Sequence, residues 1–150
     1  MSSEQSGSAR LLNPNQRRRL ATTLSVLEEM LCEIERTLTG GGYKGVLFEL
    51  RDDVPSPVKG EILRKIFLIR ERIEAVAEQF VLSKRSSDVS RDFMGKLAYG
   101  WEILAGAKAR YQRGYGTVAE GLAEVLDPQL DDILVLVDGM RGLVTGEKRE

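Results

Sequence analysis

The sequence predicts an all-α protein, a four-helix bundle with left-handed, coiled-coil-like packing. Three observations predict it. First, apolar residues recur at alternating spacings of four and three. Leu20, Leu24, Leu27, Leu31, Ile34 and Leu38 form one such stretch, and Ile62, Ile66, Ile69, Ile73, Val76 and Phe80 a second. Phe93, Leu97, Gly100, Leu104, Ala107 and Tyr111 form a third, and Leu126, Leu130, Ile133, Val137, Met140 and Val144 a fourth. This period keeps a narrow apolar stripe on one side of each helix and suits helices crossing at about 20°. Second, Asn13-Pro14, Ser56-Pro57 and Asp127-Pro128 each place a capping side chain before a proline, a helix start. Third, Gly40-Gly41-Gly42 offers the left-handed backbone that ends helices.

The first helix is expected from Pro14 to about Thr39. Arg17, Arg18 and Arg19 lie toward its positive end and Glu28, Glu29, Glu33 and Glu35 toward its negative end. The helix dipole disfavours that order by roughly 0.3–1 kcal/mol per exposed charge. Either neighbouring helices supply opposite charges, or the arginines meet an acidic partner. Residues 40–56 form a long connection between helices one and two. Extended, it could reach on the order of 55 Å, more than the length of the first helix, about 40 Å. Parallel helices one and two are therefore possible. Val46, Leu47 and Phe48, apolar in a connection, are expected to pack down as an extra helical turn.

The second helix starts with Ser56 as its cap, and Leu63, Phe67 and Leu68 widen its stripe toward two neighbours. A polar turn at residues 83–90 implies an antiparallel third helix over residues 90–113. Gly95, Gly100 and Gly106 fall inside it, each costing about 1 kcal/mol relative to alanine. Close approach of a neighbouring backbone would compensate, as would room for a ligand. Thr117 is read as the cap of the last segment. Its helix is broken or kinked near Pro128, as two pieces over residues 118–126 and 128–144 or as one.

Composition narrows the function classes. The chain has 150 residues, 42% hydrophobic and 30% charged, the profile of an ordinary globular domain. The expected organisation is a disordered tail at residues 1–12, a single bundle domain at 13–146 and a frayed end at 147–150. A net charge of −1 argues against a globally basic nucleic-acid binder. The single cysteine, Cys32, fits a reducing compartment. Residues 1–10 do not read as a signal peptide, and the apolar run at 133–137 is too short to cross a bilayer, so a cytoplasmic protein is expected. Histidine is absent, which removes Ser-His-Asp and Cys-His machinery and the Glu-x-x-His pair of di-iron bundles. No catalytic residue, metal or cofactor is expected.

Two groups of residues remain candidates. Arg17, Arg18 and Arg19, with Lys108, Arg110 and Arg113, could contact phosphate, nucleic acid or an acidic protein face; basic residues interleaved with Tyr99, Trp101, Tyr111 and Tyr115 could stack single-stranded nucleic acid. Solvated helix ends and aromatic residues covered by cationic stems are the simpler reading. Gly100, Trp101, Ala107 and Tyr111 could line a small-molecule pocket where the third stripe thins. Asp131, Asp132 and Asp138 with Glu120 and Glu124 read as a solvated acidic face. The leading functional expectation is a non-catalytic bundle that mediates protein–protein interaction, as a homodimer or with another protein. A nucleic-acid accessory protein and a small-molecule-binding bundle are the alternatives. No membrane partner is expected.

Overall fold

The computed structural model describes residues 7–146. It is mostly helical; the sheet among the described residues is a single two-stranded hairpin. Contacts divide the chain into two compact units, Met1–Arg85 and Ser86–Glu150.

The first unit holds α1 (Pro14–Gly40), β1 (Tyr43–Lys44), β2 (Glu49–Leu50) and α2 (Ser56–Gln79). α1 begins where the cap-then-proline pair places it. Asn13 Oδ1 accepts from the Gln16 N–H at 2.8 Å, and Gln16 Oε1 accepts from the Asn13 N–H at 3.0 Å. Two of the helix's unpaired donors are thereby satisfied. The helix ends at Gly41, whose φ of +76° is the left-handed cap expected of glycine. Ahead of α1, residues 7–9 make a helical turn, with the Leu11 N–H donating to the Ser8 carbonyl at 3.0 Å. This turn falls within the tail expected over residues 1–12, while residues 1–6 and the end expected to fray, 147–150, lie outside the described residues.

The connection is a β-hairpin rather than a helical turn. Tyr43 pairs with Leu50 and Lys44 with Glu49, antiparallel, and the Gly45 N–H donates to the Phe48 carbonyl at 2.8 Å. Val46 and Leu47 are at its tip, 98% and 100% exposed, so the expectation that they pack down is overturned. Gly42 makes this fold-back possible: at φ +93°, a Cβ there would lie 2.4 Å from the Leu50 carbonyl oxygen. The Tyr43 and Phe48 rings stack with centroids 6.2 Å apart. Because the hairpin folds the connection back on itself, α1 and α2 run antiparallel. Glu35 of α1 pairs with Arg70, Ala21 and Leu24 border Ile73 and Ala77, and Gln79 Nε2 donates to Ser8 Oγ at 3.2 Å. α2 is capped by Pro55 with no side-chain bond, so Ser56 is its first helical residue and not its cap.

Leu31 and Ile66 are the buried apolar residues of this unit. The acids toward the end of α1 are answered from outside the helix: Arg70 reaches Glu35 at 2.5 Å, and Arg85 pairs with Glu29. These pairs are exposed or half-exposed, so they orient more than they stabilise.

The second unit holds α3 (Val89–Ala105), a 3-10 helix (Ala109–Tyr115) and α4 (Leu122–Thr145). α3 stops eight residues short of the expected end. The N–H groups of Gly106 and Ala107 bond back to Glu102 and Leu104, and Lys108 then adopts extended backbone. Ala107 and Tyr111 are therefore off the third stripe. A Cβ at Gly95 or Gly100 would meet nothing within 4 Å, so these glycines do not serve a close helix approach.

α4 is one helix running through Pro128. It starts after Gly121, and residues 117–121 are not helical, so Thr117 does not cap it. Asp127 is not a cap either. Its Oδ1 accepts from the Ala109 N–H at 2.9 Å, while Lys108 Nζ meets Asp131 Oδ1 at 2.7 Å. These two contacts fasten the 3-10 helix to the early turns of α4, around a buried Ala109. The buried large side chain of α4 is Leu134, one residue past the expected Ile133, which turns the buried side by about 100°.

Candidate functional site

An apolar seam runs along one face of the α1–α2 pair. Leu24, Leu27, Leu68, Ile69, Ile73 and Val76 line an open groove of about 320 Å³, with Arg72 at its edge. Leu27 and Ile69 are each 36% exposed. Met30 and Ile34, at helical spacing from Leu27, continue the face and are exposed. The first two stripes therefore meet each other along one edge only. The other face of the pair is polar: Glu28, Glu29, Arg70 and Arg85 surround a half-buried Cys32. In the second unit Ile133 is 47% exposed and Leu104 half-buried.

A second groove, of about 490 Å³, opens beside the start of α1. Arg17, Arg18, Thr22, Ser83, Lys84 and Arg85 line it. It adjoins a smaller one of about 270 Å³, walled by Leu24, Glu28, Ile73, Ala77 and Leu82, and the two share Ala21, Ser25, Ser83, Lys84 and Arg85. The chain reaches this place through an unusual turn. The N–H groups of Val81 and Leu82 bond to the carbonyls of Glu78 and Ala77, a Schellman end to α2. Its left-handed residue is Val81, φ +52°, where glycine is the ordinary occupant. The turn carries Leu82 to the apolar end and residues 83–85 to the cationic end.

The candidate basic residues fall into two clusters. Arg17 is half-buried, and its guanidinium donates to the carbonyls of Ala9 at 3.2 Å and Leu12 at 3.5 Å. Its Nε is buried with no acceptor among the described residues. Arg18 lines the groove and Arg19 is exposed. Lys108 is engaged by Asp131, Arg110 lies 4.6 Å from the centre of the Tyr111 ring, and Arg113 is in the last turn of the 3-10 helix. The two clusters belong to different units. Of the candidate pocket residues, Gly100 and Trp101 are on α3, Ala107 is in the link and Tyr111 is on the 3-10 helix, with Trp101 and Tyr111 exposed. Among the acids, Asp131 pairs with Lys108 and Asp138 with Arg141 at 3.5 Å. No cluster of three or more metal-ligating side chains occurs among the described residues.

At the foot of the hairpin, Asp52 is an ionisable group shifted by its neighbours. The hydrogen bond from Lys59 holds its carboxyl below the usual 3.8, helped by the Val54 N–H at 3.3 Å. The contact ties the foot of the hairpin to the first turn of α2.

Sequence reasoning missed residues 82–85, because a polar stretch after a helix reads as a turn and nothing local says that it lies against α1. It missed the exposed hairpin tip for the opposite reason, since an apolar triplet reads as core. No family model matches the chain, and comparison with curated proteins and with solved structures finds no match. No helix among the described residues is long and apolar enough to cross a membrane.

Proposed function

We propose that this chain is a non-catalytic interaction protein of the cytoplasm that self-associates. Two copies lay their α1–α2 seams together, completing a four-helix bundle with coiled-coil-like packing. The observation that carries this reading is the open seam, where coiled-coil positions Leu27 and Ile69 stay one-third exposed beside exposed Met30 and Ile34. A second copy supplies the same spacing with no other sequence required, and a two-fold axis makes the contact closed and self-complementary. Burial contributes about 25 cal/mol per Å² of apolar area, against the entropic cost of association.

Sedimentation velocity tests the reading. The native chain is expected as a dimer at micromolar concentration. The double variant Leu27→Glu/Ile69→Glu is expected as a monomer whose far-ultraviolet helical signal is retained. A native monomer at high micromolar concentration, or a dimer that survives the double variant, overturns it.

A further inference from the structure

We infer that the groove between the start of α1 and residues 82–85 binds a phosphorylated small molecule. Its phosphate would rest on the cationic end and its apolar or aromatic body at the other. Four cationic side chains from two elements converge on this groove: Arg17 and Arg18 from α1, Lys84 and Arg85 from the segment after α2. Of these, Arg85 is paired with Glu29, so the lining keeps a net positive charge. Thr22 and Ser83 add hydroxyls that can donate to phosphate oxygens, while the Ser25 hydroxyl donates to the Thr22 carbonyl.

Two further observations favour an anion with an apolar body. The first turn of α1 carries no acid, so the positive end of its dipole adds to the arginines instead of being offset. The groove continues past Glu28 along the apolar walls of Leu24, Ile73, Ala77 and Leu82, which a bare inorganic ion would leave unused. Its volume of about 490 Å³ lies in the range of small-ligand sites. Bonds from guanidinium or ammonium to phosphate are charge-assisted and about twice as strong as neutral ones. The inference stands apart from self-association: the cationic groove shares no lining residue with the seam, and its apolar extension shares only Leu24 and Ile73.

Isothermal titration of the full chain tests it with four probes: ATP, inorganic tripolyphosphate, adenosine and a short oligothymidylate. ATP is expected to bind more tightly than tripolyphosphate, with an affinity that falls as salt rises, and adenosine is expected not to bind. The double variant Arg18→Ala/Lys84→Ala, both at solvent-facing positions, should weaken ATP by about tenfold or more with the helical signal unchanged. Leu82→Ser should weaken ATP and leave tripolyphosphate unaffected. Failure of both ATP and tripolyphosphate to bind at millimolar concentration overturns the inference, as does full affinity in the Arg18→Ala/Lys84→Ala variant. Oligothymidylate binding far tighter than ATP would also overturn it, assigning the groove to a nucleic-acid backbone.

Discussion

Val81 holds a backbone conformation that a β-branched side chain resists, since its Cβ crowds the adjacent carbonyl. Three backbone hydrogen bonds at the end of α2 hold it there. The expected outcome of Val81→Gly is a rise in thermal midpoint, worth about 1 kcal/mol, because relief of strain outweighs the extra freedom of glycine in the unfolded chain. A lower midpoint would show that the Val81 side chain contributes more by packing than the turn costs. Residue-level signals were readable where they are local. Asn13 and Gln16, three apart, form a reciprocal cap from neighbouring atoms alone. Ser56 misled because Pro55 precedes it and already takes the cap position. Asp127 misled because its acceptor capacity goes to Ala109, far off in sequence.

At the scale of elements, α1 follows its start signal and spacing closely, since capping and periodicity agree along it, while α2 keeps the spacing but starts without a side-chain cap. The connection between them was misread. Apolar residues 46–48 suggest burial, yet pairing of Tyr43–Lys44 with Glu49–Leu50 puts them at a turn. Strand pairing across four residues leaves little trace in a pattern read at helical period. A two-stranded hairpin is marginal alone, so its foot matters, and Asp52–Lys59 is the tie there. Because the Asp52 carboxyl is held below 3.8 in the folded chain, its contribution is complete above that value. It is lost as pH falls through 3.8 toward the lowered folded value. Urea melts of the native chain and Asp52→Asn should differ at neutral pH and converge as the solution becomes strongly acidic. A constant difference across that range would contradict the role assigned to the ion pair. In the second unit, the third stripe ran past the true end of α3 because Ala107 and Tyr111 fall on the right count by coincidence. Gly106 and the extended Lys108 interrupt the helix between them.

For the whole molecule, spacing shows that each helix has an apolar side but not what covers it. The stripes of α1 and α2 do meet, burying Leu31 and Ile66, while Leu27 and Ile69 remain partly open. Period alone also cannot fix phase, which is why Leu134 rather than Ile133 is buried on α4. The grooves were beyond reach of the sequence because each is made by residues far apart in the chain: Arg18 with Lys84, Leu27 with Ile69. Amide hydrogen exchange across a dilution series reads directly whether a second copy covers the α1–α2 seam. With the seam so covered, α1 and α2 amides near Leu27 and Ile69 exchange faster as the protein is diluted through its dimer dissociation range. Exchange there that is the same at every concentration would contradict it.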